Sequence, residues 1–442
     1  MEANSARTLE ISQLIDQRKL SSLQITVIVL SALVVWLDGY HIQSMALIVP
    51  ALSAQWGVES SGFSMVLASA LLGIAIGGAF LAPLGDRFGR RILLIVSTVL
   101  LGLMSIGTSF ASNTLQLLIW RFLTGLMLGT SMTNATALTS EYLPGRRRAA
   151  LVTLMFSGVS IGAFTSGFVA PVIIENFGWK GVFTIGGAVP LLLSVVLAAA
   201  LPESIKLLLS SRPKDPRIAK ILARLAPGID PLTVYVKKQV VQKQSVAELL
   251  SKTYRKGTLL LWMVFIFNMF VLYLLVNWLP TLLTTQGWSA SQASKGAVMI
   301  QAGGVVGGLV LSWCVDKGKT VGAMLAAYIV AAAALGLFTI LPASGPSWWV
   351  LLVMVGCGVS GTQFVLNALS AIYYPPLIRA TGIGWAGGIG RIGAVLSPMV
   401  GGWIIKMEVA PFAVLGMLVI PVAICAIGVL MFRSTFKTAP EH

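Results

Sequence analysis

Four ionisable side chains interrupt long apolar stretches of this 442-residue sequence: Asp38, His41, Arg121 and Arg391. Such a group is costly to place in hydrocarbon, and it marks a candidate substrate, ion or proton site. Asp38 and His41 are three residues apart, one turn along a helix and on one face. A buried carboxylate beside an imidazole can share a proton over a physiological range. The bland alternative is a structural Asp–His hydrogen bond, and Asp38 is the stronger proton carrier of the two. Arg121 and Arg391 each offer a planar fork that gives a carboxylate two parallel hydrogen bonds. Either suits a substrate carboxylate, and either suits a permanent partner for Asp38. Two buried cations against one buried anion leave a positive surplus, which favours an anionic substrate. The preferred assignment sets the substrate on Arg391 and places Arg121 beside the proton path.

Other polar residues fall at helical spacings. Tyr273 and Asn277 stand four apart, as do Gln363 and Asn367. These pairs suit a cavity lining or hydrogen bonds between helices. Tyr40 and Trp278 are candidate aromatic walls or packing residues, and Asn134 is a further candidate contact. Glu141, seven residues after Asn134 and seven before Arg148, reads as a gate acid near Asp86 or as a solvated helix-end acid. No metal or cofactor is expected. The only histidines are His41 and His442, and Cys314, Cys357 and Cys425 lack ligand spacing. Gly388-x-Gly390-x-x-Gly393 matches a dinucleotide fingerprint, but no strand precedes it, so close helix packing is the better reading.

The elements that must position these groups are membrane helices. With 56% hydrophobic and only 10% charged residues, and a mean hydropathy of +0.88, the composition excludes a soluble enzyme, a coiled coil and a disordered chain. Apolar runs long enough to cross a bilayer recur at 23–50, 62–83, 92–111, 115–139, 149–174 and 180–201. Six more follow at 257–283, 293–314, 320–341, 347–372, 381–405 and 411–432. The expected organisation is a tail (1–22), a six-helix bundle (23–201), a linker (202–256), a second bundle (257–432) and a tail (433–442). The linker is expected to be partly helical, with amphipathic stretches at 218–225 and 246–250. Residues 1–22 are polar and carry no signal-peptide pattern.

The formal charge of +16 would suggest nucleic acid in a soluble domain, but its location excludes that reading. With the N-terminus inside, 26 of the 31 Lys and Arg fall on cytoplasmic segments and three, Lys180, Lys295 and Lys406, on the other face. That asymmetry sets both termini in the cytoplasm. The halves also repeat. Gly77-Gly78 followed by Asp86-Arg87 recurs as Gly307-Gly308 followed by Asp316-Lys317. Tyr142-x-Pro144-x-x-x-Arg148-Ala149 recurs as Tyr373-x-Pro375-x-x-x-Arg379-Ala380. A six-plus-six duplication of this kind implies two bundles around a midplane site.

Ala82-Pro-Leu-Gly-Asp86-Arg87-Phe-Gly89-Arg90-Arg91 resembles the signature loop of the major facilitator superfamily, with Ala82 at the usual leading glycine. A closer resemblance covers nearly the whole chain. It rests on Trp36-Leu-Asp38-Gly39-Tyr40, Arg121-Phe-Leu-Thr-Gly125, Asn134-Ala-Thr-Ala-Leu-Thr-Ser-Glu141-Tyr142 and Arg146-Arg-Arg-Ala. Asn277-Trp278-Leu-Pro280-Thr-Leu, Arg379-Ala-Thr-Gly-Ile-Gly-Trp385 and Gly390-Arg391-Ile-Gly-Ala continue it. Together these resemble the aromatic acid/proton symporter family, whose members import benzoate-type carboxylates. His41 departs from the pattern, because the family usually has a second acid there. Ala163 after Gly162 departs from the Gly-Pro of the superfamily's antiporters, which favours symport over drug export.

The resulting expectation is an all-α membrane protein of the major facilitator fold, with twelve transmembrane helices in two pseudo-repeated six-helix bundles. Its function would be proton-coupled import of a small aromatic or related carboxylate, with no covalent chemistry. It would act as a monomer in a bacterial inner membrane, with a small organic anion, protons and the lipid bilayer as partners. Arg391, Tyr40, His41, Asn134, Asn277, Trp278, Gln363 and Asn367 are the expected substrate contacts. Asp38, His41 and Arg121 would couple the proton. Asp86, Arg87, Arg90, Arg91, Glu141, Arg148, Asp316 and Arg379 would form the gates. The alternatives are a carrier of another substrate class (sugar, dicarboxylate or drug) and a transporter-like sensor.

Overall fold

In hydrocarbon a backbone must satisfy its own polar groups, so each apolar run is expected to become a helix. A computed structural model describes residues 9–230, 233–236, 246–341, 346–375 and 378–436. The chain opens with a short strand β1 (Leu9–Glu10) and a surface helix α1 (Ile11–Gln17). The first spans are α2 (Ser22–Trp56) and α3 (Ser64–Ile76), which continues as a π-turn through Gly77–Leu81. A short α4 (Leu84–Phe88) carries the signature loop, and α5 (Arg90–Thr108) and α6 (Thr114–Tyr142) follow. The fifth and sixth spans form one continuous assignment, α7 (Arg148–Ala200), broken at Gly178. Gly178 has φ 67° and ψ 179°, a left-handed φ that glycine adopts without a Cβ penalty.

The linker holds α8 (Ile205–Ser211), α9 (Pro216–Leu225), strand β2 (Val234–Tyr235) and α10 (Val246–Leu249). The second half contains α11 (Arg255–Thr284), α12 (Ala290–Asp316), α13 (Thr320–Leu337), α14 (Pro346–Tyr373) and α15 (Arg379–Lys406). Its last span is split into α16 (Pro411–Met417) and α17 (Val419–Phe436). Among the described residues eleven helical segments are long and apolar enough to cross a membrane. The break at Gly178 divides one of them in two, which gives the expected twelve.

Local sequence fixes the helix starts. Ser21 and Gln24 form a capping box on α2, and Ser289 and Gln292 form one on α12. Asp215 caps α9, and the Arg217 guanidinium bonded to it holds its carboxyl down at about 2. The duplication read in the sequence is also a packing duplication. A Cβ on Gly77 would land on the carbonyl of Leu126 in α6, and one on Gly307 would land on Cys357 in α14. The repeated glycines therefore allow the same close helix crossing in each half.

The first tail folds back onto the linker. Leu9 pairs with Val234 and Glu10 with Tyr235 in a two-residue parallel ladder, the one departure from an all-helical chain among the described residues. Ile11, Leu14 and Ile15 are buried with Ile218, Ile221 and Leu222 in a small core continuous with the first bundle. The amphipathic stretch expected at 218–225 is thus a helix whose apolar face covers this end of the bundle.

An even number of spans puts α1 and the end of α17 on one side of the bundle, here called the basic end. The halves touch at the opposite end. Ser294 Oγ donates to the carbonyl of Gly167, joining α12 to α7, and a Cβ on Gly402 of α15 would meet Ser64 of α3. These contacts close the interface at the far end.

Candidate functional site

A cavity of 140 Å³ lies between the halves. Asp38 enters it from α2, Tyr273 from α11 and Arg391 from α15. The rest of the lining is apolar and includes Leu71, Leu128, Met132, Val159 and Met269. This combination of apolar walls and a few convergent polar groups is what a small-ligand site requires.

Asp38 is only 1% exposed, and neither of its oxygens has a hydrogen-bond partner among the described residues. Arg391 is the charge acting on it across the cavity, and both act on the Tyr273 hydroxyl. Yet the described residues contain no Asp38–Arg391 ion pair within 4.0 Å; the pairs that do form are Arg90–Asp86, Arg90–Glu141 and Arg217–Asp215. Arg391 also reaches toward the first half, where a Cβ on Gly78 would stand 3.8 Å from its Nη1. An anion and a cation face each other with room between them. A carboxylate can take the guanidinium there, and the buried Asp38 can hold a proton when that happens.

The other expected site residues divide by position. His41 is fully buried, but its ring turns to Gly186 in the second arm of α7 rather than to Asp38, and no hydrogen bond joins the two. Residues three apart are offset around a helix, and here that offset sends one into the cavity and the other into the bundle. Arg121 is 1% exposed, donates from Nη2 to the carbonyl of His41 at 2.9 Å and lies 5.7 Å from the Phe183 ring. It also lines a 10 Å³ void with Asn277, and that void shares Ile42 and Leu71 with the larger cavity. Asn277 donates back to the carbonyl of Tyr273 at 2.7 Å.

Several expected contacts stand away from the cavity lining. Tyr40 is buried between helices with its hydroxyl on the carbonyl of Val182 at 3.2 Å. Trp278 is fully buried inside the second half, its Nε1 donating to the carbonyl of Pro398 at 3.1 Å, so it packs rather than walls the site. Asn134 donates to the carbonyls of Ala82 and Thr130, which fastens the signature loop to α6. Gln363 accepts from Asn268 Nδ2 at 2.8 Å, and the exposed Asn367 donates to the Gln363 carbonyl. Asn268 also accepts from Tyr328 and Thr362, which ties α11, α13 and α14 together.

The charged residues at the basic end do meet. Arg90 bridges Asp86 at 2.9 Å and Glu141 at 2.6 Å, and Ser204 Oγ donates to Glu141. Glu203 accepts from the backbone N–H groups of Arg91 and Ser204. Arg91 reaches the carbonyl of Ala198, and Arg87 lies 5.6 Å from the Phe88 ring. Arg148 and Arg379, repeat equivalents, donate to the carbonyls five residues back, of Leu143 and Tyr374. The side chain of Asp316 lies outside the described residues. Sequence reasoning passed over Glu203, Ser204 and Asn268, and it weighed Tyr273 only as a generic polar pair. The overlooked signals were a Pro-Glu-Ser step ending the sixth span and a second amide, nine residues before Asn277, within the seventh apolar run.

Two six-helix halves enclosing a charged, otherwise apolar cavity at mid-membrane define a membrane transporter. The chain belongs to the Major Facilitator Superfamily, whose family model matches residues 28–398. It is 36% identical over 437 residues to the 4-hydroxybenzoate transporter PcaK of Pseudomonas putida, covering 96% of each chain. It is 34% identical over 429 residues to a gallate transporter of the same species, covering 96% of this chain and 94% of that one. Among solved structures, the inward-open xylose transporter XylE from E. coli superposes with a TM-score of 0.72 at 18% identity, covering 95% of this chain and 97% of that one. That last likeness concerns the fold.

Proposed function

We propose that this chain is a proton-coupled symporter that imports a small aromatic carboxylate across a bacterial inner membrane, with both termini in the cytoplasm. One observation carries the reading: Asp38 and Arg391 face each other, unpaired, across an otherwise apolar cavity between the halves. The guanidinium holds the carboxylate, the aliphatic and methionine walls hold the ring, and Asp38 carries the proton. Sulfur–aromatic contacts from Met132 and Met269 would favour a ring over an aliphatic chain. The names of the relatives, transporters of 4-hydroxybenzoate and gallate, support the same substrate class.

In this reading Asp38 acts without His41, whose ring lies off the cavity, and Arg121 lies toward the outer end of the route. The basic end is the cytoplasmic side, toward which substrate is released. Closing that end would bring the Asp86–Arg90–Glu141 cluster, with Arg87, Arg91 and Arg148, against the second half's Asp316 and Arg379. The transporter would do this as a monomer, because the cavity is complete within one chain.

The test is counterflow and net uptake in proteoliposomes with labelled benzoate, 4-hydroxybenzoate, gallate and aliphatic dicarboxylates, with and without an inward proton gradient. Uptake of aromatic monocarboxylates that is raised by the gradient is the expected result. Transport of neutral analogues or sugars with no transport of acids would overturn the proposal.

A further inference from the structure

A second recess lies apart from the cavity between the halves. It measures 630 Å³ and lies at the basic end, where Arg18 and Lys19 face Arg146 and Arg147. Arg18 and Lys19 belong to the segment between α1 and α2, and Arg146 and Arg147 lie on the 3-10 turn between α6 and α7. Among the described residues none of the four has a carboxylate within 4.0 Å. Asp16 lines the same recess, its Oδ1 accepting from the backbone N–H of Gly145 at 2.5 Å, and its one negative charge leaves the four cations in clear excess.

The cluster is held in place rather than merely accumulated. The Leu9–Val234 and Glu10–Tyr235 pairing and the buried Ile11, Leu14 and Ile15 fasten the tail to the linker and the first bundle. The Asp16–Gly145 hydrogen bond then ties the tail to the turn that bears the two arginines. Four cations against the one carboxylate of Asp16 leave a net repulsion, and a bound anion relieves it.

Position identifies the anion. The recess lies beside the first residues of α2 and α7 and the last of α6, just beyond the ends of three spans, at headgroup depth. Leu20 adds an apolar edge. We propose that the recess binds the phosphate of an anionic phospholipid headgroup, seated between the first tail and the turn joining the fourth and fifth spans. A soluble phosphate ester shares the chemistry, but it has no use for the apolar edge or for the depth.

The test uses the full chain in nanodiscs of phosphatidylcholine containing a minor fraction of phosphatidylglycerol, with retained lipid read by native mass spectrometry. One variant carries Arg18→Gln, Lys19→Gln, Arg146→Gln and Arg147→Gln. A control variant removes three cations elsewhere at the same end, Lys252→Gln, Arg255→Gln and Lys256→Gln. A milder variant, Arg146→Gln with Arg147→Gln, leaves the first tail untouched and guards against misfolding of the first variant. A cation near an anionic surface is worth roughly a fivefold preference. Phosphatidylglycerol retention should therefore fall about fivefold for each cation lost from the recess, and remain near wild type in the control. Soluble glycerol phosphate should not displace the lipid. Equal losses in the recess and control variants, unchanged retention in the recess variants, or full displacement by glycerol phosphate would overturn the proposal.

Discussion

Replacing Asp38 with Asn is the sharpest perturbation, because Asp38 is the one carboxylate lining the described cavity. In the proposed cycle this one titratable carboxylate carries one proton. One unit of pH across the membrane is worth about 1.4 kcal/mol per proton, and therefore drives about tenfold accumulation of substrate. In the proposed cycle a proton and a monoanion move together, so this ratio should not change when the membrane potential is clamped at zero. With Asn at position 38 the amide cannot release a proton, and the predicted ratio falls to one. Binding behaves differently. Arg391 makes no ion pair with Asp38 within 4.0 Å, so the substitution frees no donor and removes none, and affinity should stay within about tenfold of wild type. The assay is steady-state accumulation of labelled aromatic acid in proteoliposomes with one pH unit imposed, paired with equilibrium binding to the purified protein. Accumulation well above one by the Asp38→Asn protein would refute the assignment of Asp38 as proton carrier. A wild-type ratio near one hundred would refute the single-proton stoichiometry.

Arg391→Gln should weaken binding of a carboxylate by roughly 1.5–3 kcal/mol, about 10- to 150-fold, the usual worth of a hydrogen bond to a charged group. Binding of the corresponding neutral amide should hardly change, and calorimetry with the acid–amide pair reads both. Trp278→Phe should leave the KM for substrate unchanged while lowering the Tm in detergent, since it removes one buried hydrogen bond worth about 0.5–1.5 kcal/mol. A large shift in substrate preference would instead put Trp278 at the site. Gly39→Ala should be more damaging than its size suggests, because the new Cβ would fall on the carbonyl of Val159 where α2 crosses α7. Overpacking of this kind costs about 1–3 kcal/mol, and a thermal melt compared with Gly57→Ala, which meets no neighbour, separates packing from backbone strain.

The proposed gating residues illustrate how far reading along the chain can go. Asp86, Arg90 and Glu141 were grouped from their positions at helix ends, and the structure brings the three together. Helix ends can be located along the sequence, so residues at the same end and in the same half fall within reach of one another. The substrate contacts were harder. Arg391 and Asp38 were singled out because a charge in hydrocarbon needs a reason, and both line the cavity. Tyr40, Trp278 and Asn134 carry no such signal: a tyrosine, a tryptophan or an asparagine in a span can serve packing equally well, and here each does.

The sequence by itself determined the number and length of the spans, the six-plus-six duplication, the basic end and the depth of each buried charge. All of these depend on hydropathy and position along a helix axis, and 1.5 Å per residue converts one into the other. Only the tertiary structure decided which way each side chain points. In a soluble helix the apolar stripe reveals the buried face, but a membrane helix is apolar toward both lipid and core, so its sequence leaves rotation about the axis unstated. That is why Asp38 and His41, three residues apart and one turn in depth, could be read as a pair. The packing of α2 against α7 sends the carboxylate into the cavity and the imidazole toward Gly186.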